Sequence, residues 1–187
     1  MQLRIQSNTQ PWPAADKGGY DLVHQRLGLF AAGDMLHTAV AGLVELVKPG
    51  GWIQLVDSDL TGPESAPENP LSASMRLIKG ILNKAPGDAY AADLKNIFKQ
   101  HGLVAVQEKA VDVRMGALNP NIELAKKSTT SFCLATEGMV EVARGVPTAL
   151  SPEDLDGIIP KMKKELEATG AILRYWVVWV RSHFSSF

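Results

Sequence analysis

Residues 20–60, YDLVHQRLGLFAAGDMLHTAVAGLVELVKPGGWIQLVDSDL, decide how this chain is read. They spell strand, loop, helix, tight turn, strand. Residues 20–24, Tyr-Asp-Leu-Val-His, are a short β-prone run behind the breaker Lys17-Gly18-Gly19. Asp34 can cap a helix. Leu36, Val40, Leu43, Val44 and Val47 then recur at helical spacing and give one apolar face. Pro49 and Gly50-Gly51 stop that helix. Residues 52–56, Trp-Ile-Gln-Leu-Val, are the next strand, nearly all apolar. A strand apolar on both faces and reached through a helix marks a parallel α/β sheet, because crossover helices cover both of its faces.

Outward from this stretch the signals are plainer. Leu3-Arg4-Ile5 is a short strand candidate, and residues 6–13 are a polar, proline-bearing loop. Residues 61–69, TGPESAPEN, are a surface loop. Leu71, Met75, Ile78 and Leu82 mark a helix; Asp88 caps another, with Tyr90, Leu94, Ile97 and Phe98 inward and Gly102 at its end. Residues 103–106 and 111–113 read as one strand broken at Lys109. Residues 122–142 are helical but polar and interrupted by Gly138. Ser151-Pro152-Glu153-Asp154 starts a helix that Pro160 should kink and Gly170 should close. Residues 171–181, AILRYWVVWVR, are the last strand.

A chain of 187 residues, 45% hydrophobic and 21% charged, suits one globular domain with a sizeable core. A net charge of −1 argues against nucleic acid as a partner. The longest apolar run, residues 175–180, is far too short to span a bilayer, and residues 1–10 carry no signal-peptide core. The single cysteine, Cys133, suits a reducing, cytoplasmic compartment; between Phe132 and Leu134 it reads as a buried, inert thiol.

The run YDLVHQR, the amphipathic helix, LVKPGG and WIQLVDSDL together resemble the middle of a class I S-adenosylmethionine-dependent methyltransferase of the fungal small-molecule, secondary-metabolism type. In that family they are the fourth strand, fourth helix and fifth strand. The helix, His-Gly-Leu, Val-x-Val passage resembles its fifth helix and sixth strand, and residues 171–181 its seventh strand. The resemblance implies a truncated Rossmann-like sheet with helices on both faces and an antiparallel last strand between the fifth and sixth. It implies one domain over 1–187 with lid-like insertions at 61–87 and 117–150. It departs at the front, where the family's first strand and Gly-rich cofactor loop have no counterpart. The implied cofactor is S-adenosylmethionine, held weakly or not at all.

The candidate site residues are few. His24 is expected at the carboxyl end of its strand, where ligands bind in open α/β sheets, as a general base or a polar strand-end residue. Asp57 and Asp59 end the next strand at the same rim; Asp57 matches an acidic family position and is, with His24, a catalytic candidate, and its other reading is to cap backbone donors. The resemblance puts His24 and Gln25 beside the cofactor and Arg26 beside the substrate, with Asp59, Met75 and Phe132 also substrate-facing. It places Trp12-Pro13 on a family pair and Ser7 or Asn8 on the acid that meets the adenine amino group; an Asn can only accept that hydrogen more weakly. His37 and His101 read as structural, and no metal-ligand spacing is present.

Three function classes follow. The first is a small-molecule methyltransferase. The second is a cofactor-independent enzyme on the same scaffold, catalysing a cyclisation, isomerisation or pericyclic step. The third is a non-catalytic, partner-binding protein. The strand at 20–24 would present a bare apolar edge, with Leu22 and Val23 on opposite faces, so residues 3–5 should fold beside it, a homodimer should cover it, or the sequence is an incomplete gene product whose missing half exists elsewhere.

Overall fold

The apolar run 52–56 becomes the interior of β2 (Val47–Ser58), where Ile53 and Leu55 are fully buried. On one edge β2 pairs in parallel with β1 (Tyr20–Arg26); on the other it pairs antiparallel with β4 (Ala171–Arg181). β3 (Gln107–Met115) completes a four-stranded sheet of order β1-β2-β4-β3. The α/β class, the parallel first pair and the antiparallel last strand are thus as expected. These are the features of a computed structural model that describes residues 3–61, 68–81, 89–146 and 150–182.

The chain divides into two compact units. The first holds Met1–Asp59, Lys84–Val111 and Tyr175–Phe187; the second holds Leu60–Asn83 and Asp112–Arg174. In the first unit α1 (Leu36–Glu45) and α3 (Tyr90–Gln100) pack against β2. They bury Leu36, Val40, Leu43, Leu94, Ile97 and Phe98, the inner faces that the spacing indicates. His37 of α1 and His101 at the end of α3 meet with ring centroids 5.7 Å apart.

Several boundaries differ from the sequence reading, each for a local reason. Asp34 does not cap α1: a 3-10 turn over Phe30–Met35 leads into the helix, bent by Gly33 at φ 58°, and Met35 sits at the cap. The helix ends at Glu45 because Val47 already belongs to β2. Lys48-Pro49-Gly50-Gly51 is therefore a bulge inside the strand, where pairing jumps from Tyr20–Val47 to Leu22–Trp52. Gly50 takes φ 78°, and its N–H donates to the Ser182 carbonyl at 2.7 Å while the Ser182 N–H donates to the Gly51 carbonyl at 2.7 Å. A Cβ on Gly51 would lie 2.9 Å from Val47 Cγ1.

Residues 3–5 form no strand. Leu3 and Ile5 are exposed, and Arg4 is drawn instead to Asp16 and Tyr20. Residues 103–106 are not a strand either. Leu103 and Val106 are the buried anchors of a loop, and Ala105 at φ 57° cannot continue an extended ladder, so β3 begins at Gln107 and runs through Lys109 unbroken.

The second unit is helical, built from α2 (Ser72–Ile81), α4 (Ile122–Arg144) and α5 (Pro152–Ala168). The Asn121 side chain caps α4 by accepting from the Glu123 and Leu124 N–H groups. Ser151 and Asp154 form a reciprocal capping box at the start of α5. Leu77, Val140, Ala143, Leu155 and Ile158 form its core. α4 continues through Gly138 without interruption, and α5 contains Pro160. The expected cap Asp88, Leu82, residues 62–67 of the loop and His183 lie outside the described residues.

The histidine contact has a pH signature. Burial first, and then the neighbouring His37, hold the His101 imidazole below its ordinary value of about 6.5. The unfolded chain therefore binds more protons than the folded one as pH falls through about 6.5, so stability is lost on acidification and fully present above that value. Urea midpoints measured between about pH 7.5 and 5 should fall, and the fall should flatten in His101→Gln.

Candidate functional site

Side chains alternate faces along β1, and the register settles which face each takes. Val23 and Gln25 share a face with the buried Ile53, Leu55, Val178 and Val180; Leu22, His24 and Arg26 share the other with Trp52, Gln54 and Val56. That second face is open: Leu22 is 61% and Trp52 45% exposed. The expectation that Leu22 and Val23 both leave apolar faces bare is corrected, because Val23 is buried.

β1 runs two residues past His24, so His24 is not at the strand end. It lies inside the strand, exposed on the open face. Arg26 holds the end position instead, with its guanidinium carbon 5.7 Å from the centre of the Tyr175 ring, a cation–π contact. The next residue, Leu27, sits at φ 56°, a costly conformation for a side chain of that size. Asp59, just beyond β2, accepts from the Trp176 indole N–H at 3.4 Å. Arg26, Asp59, Tyr175 and Trp176 thus gather at the carboxyl end of the parallel pair. Tyr175 and Trp176 are not singled out by the sequence reading; their signal is two aromatic residues side by side in the middle of AILRYWVVWVR.

Asp57 turns the other way. It is 1% exposed and accepts from the Leu29 N–H at 3.3 Å and the Ser58 N–H at 3.1 Å. Burial pushes its carboxyl above the usual range, against the pull of its hydrogen-bond donors. The Tyr90 hydroxyl, itself buried, faces this carboxylate short of good hydrogen-bond geometry; burial and then the Asp57 charge drive the phenol upward. The capping reading of Asp57 is the one its contacts support.

The four cofactor candidates do not converge. The Gln25 amide accepts from the Gly28 and Leu29 N–H groups and is spent in the loop after β1. Asn8 donates to the Gly28 carbonyl at 3.2 Å, which leaves only its side-chain oxygen to accept. Trp12 lies against α1, where a Cβ on Gly42 would come within 3.1 Å of the indole; its Nε1 is buried without a partner. His24 faces the opposite side of β1 from Gln25. These residues do not make a cradle for S-adenosylmethionine. Met75 and Phe132 belong to the second unit; Met75 is a buried core residue of α2 and Phe132 is half-buried on α4. Among the described residues no cluster of three or more metal-ligating side chains is present, and no helix is long and apolar enough to cross a membrane.

With this geometry in place, three relatives are informative. The chain is 31% identical over 192 aligned residues to the N-methyltransferase gliN of Aspergillus fumigatus, covering 96% of this chain and 67% of that protein. It is 32% identical to the N-methyltransferase sirN of Leptosphaeria maculans, covering 96% of this chain and 65% of that one. It is 33% identical to the methyltransferase psoC of Aspergillus fumigatus, covering 86% and 59%. The chain thus spans about two thirds of the length of the curated relatives it matches. No family model matches. Among solved structures, phosphoethanolamine N-methyltransferase 2 of Haemonchus contortus, in complex with S-adenosyl-L-methionine, aligns with TM-score 0.46 and 12% identity, over 90% of this chain and 34% of that one.

The Asp57 geometry is open to a direct test. Asp57→Ala leaves the Leu29 and Ser58 N–H groups without their acceptor, at a cost of about 1–3 kcal/mol. A lower urea midpoint with an unchanged slope should follow, together with faster proteolysis in the loop after β1. An unshifted midpoint would show that Asp57 does not hold that loop.

Proposed function

This chain belongs to the S-adenosylmethionine-dependent methyltransferases of fungal secondary metabolism, and from that premise we propose that it serves methylation of a nitrogen atom in a small molecule. The observation that carries this reading is the 31% identity to an N-methyltransferase along 96% of the chain. The rim of Arg26, Asp59 and Tyr175 would bind and orient the substrate. An amine is a nucleophile only as its free base, so a group must hold its proton. Asp59 at the rim and His24 two residues back on the open face, about 6.5–7 Å along the strand, are the groups able to do so. Asp57 is a positioning residue that holds the loop between β1 and α1. The activity is placed in the reducing cytoplasm, in keeping with a single buried thiol, Cys133.

The test is methyl transfer from labelled S-adenosylmethionine to a panel of small amines and fungal metabolites. Millimolar cofactor keeps weak affinity from hiding turnover. Labelled product should appear with the native chain and fall about tenfold or more in His24→Ala or Arg26→Ala, within the usual contribution of such groups. It should be unchanged in Leu134→Ala, an exposed site on α4. No product from a folded chain at that cofactor concentration would overturn the reading. In calorimetry the chain by itself should bind the cofactor more weakly than about 100 μM. Micromolar affinity would show that this chain, or its dimer, supplies the missing contacts.

Assembly follows from the edge. β1 ends the sheet, and Tyr20, Leu22 and Trp52 are exposed beside it. An unpaired edge with exposed apolar side chains favours pairing with a second copy, so we place a homodimer contact along β1. Light scattering at micromolar concentration should give twice the chain mass, and Leu22→Glu should return a monomer. A clean monomer of the native chain would remove this part of the proposal.

A further inference from the structure

The second unit carries a groove of its own, of about 540 Å³, between the turn after β3 and helices α4 and α5. That volume is ordinary for a small-molecule site. Its floor is backbone. Gly116, at φ 56°, packs so closely on α5 that a Cβ would lie 2.0 Å from the Leu166 carbonyl oxygen. Its N–H is held by the Ser128 hydroxyl at 3.1 Å. Only glycine brings strand end and helix this near. One wall is apolar, with Ala117, Ile122 and Ala125.

The polar wall carries the argument. Lys126 and Thr130 stand one turn apart on α4, and Lys163 and Glu167 one turn apart on α5. The lining is therefore net positive by one charge. None of these three charged groups forms an ion pair among the described residues, whereas Arg174–Asp112 and Lys127–Glu123 pair elsewhere in the unit. Between them Thr129 is only 4% exposed, lines the groove, and its hydroxyl has no hydrogen bond among the described residues. That oxygen is not sealed from solvent, so it can meet a molecule in the groove.

We infer that this groove is a binding site for an organic anion: an aromatic or aliphatic body against Ala117, Ile122 and Ala125, and an acidic group between Lys126 and Lys163. A carboxylate or sulfonate oxygen there accepts charge-assisted bonds from the two ammonium groups and one from the Thr129 hydroxyl. The site lies wholly within the second unit and does not depend on the methyl-transfer reading.

Fluorescence titration tests it with two dyes of nearly the same shape, anionic anilinonaphthalene sulfonate and uncharged N-phenylnaphthylamine. The native chain should bind one anionic dye about tenfold or more tighter than the neutral one, the difference expected for one good charge-assisted contact. The double variant Lys126→Gln, Lys163→Gln changes only exposed side chains. It should lose that preference and leave the neutral dye's affinity alone. Ala125→Trp fills the groove and should abolish binding of both, with melting followed in parallel to show that the variant is folded. Two results would overturn the inference. One is equal affinity for the anionic dye in native and double-variant protein. The other is binding that survives Ala125→Trp and disappears with Trp52→Ser, which would put the dye on the open sheet face instead.

Discussion

β2 is hydrogen-bonded along both edges, to β1 in parallel and to β4 in the opposite sense, and the first unit is registered on it. Seven consecutive pairs, Trp52–Arg181 through Ser58–Tyr175, tie it to β4. A slip of one residue would turn Ile53 and Leu55 outward and expose apolar surface worth about 1.5–3 kcal/mol for each side chain. The bulge at Gly50-Gly51 absorbs the one irregularity on the β1 side, away from the carboxyl end of the pair. What reaches the carboxyl end of β1 and β2 is therefore set by register: Arg26 level with Val56, and Ser58 level with Tyr175.

That register divides two neighbouring acids into different roles. Asp57 falls on the helix-covered face, and burial makes it a ligand for backbone N–H groups. Asp59 falls past the strand end, half-buried, beside an indole N–H. The same side-chain chemistry thus positions a loop at one place and meets an indole N–H at the strand end at the other. The difference is the dielectric surrounding each carboxylate.

The second unit stands on other terms. Its helices start on side-chain caps, Asn121 and the Ser151–Asp154 box, and close on a small aliphatic core. Within that core the Ser74 and Thr136 hydroxyls bond each other at 2.8 Å, so those two polar groups are satisfied internally. Thr129, on the same helix, instead turns its hydroxyl to the groove.

Much of this was legible in the residues themselves. Helical spacing placed the inner faces of α1 and α3, the Ser151-Pro152 signal placed the start of α5, and the apolar runs placed β2 and β4, because these depend on contacts within a few residues; the direction of β4 came from the family resemblance. The family was legible too, since it rests on consecutive strand, helix and turn. The sequence alone did not settle where strands stop or which face a side chain takes. Residues 103–106 have the composition of a strand, but Ala105 is held left-handed there. His24 was read as an end residue because pairing with β2, which carries β1 on to Arg26, is not written within β1. Tyr175 joins Arg26 only across β2, from a strand nearly 150 residues later in the chain. Such contacts are made by register between distant strands, and register is a property of the assembled sheet, not of any one segment.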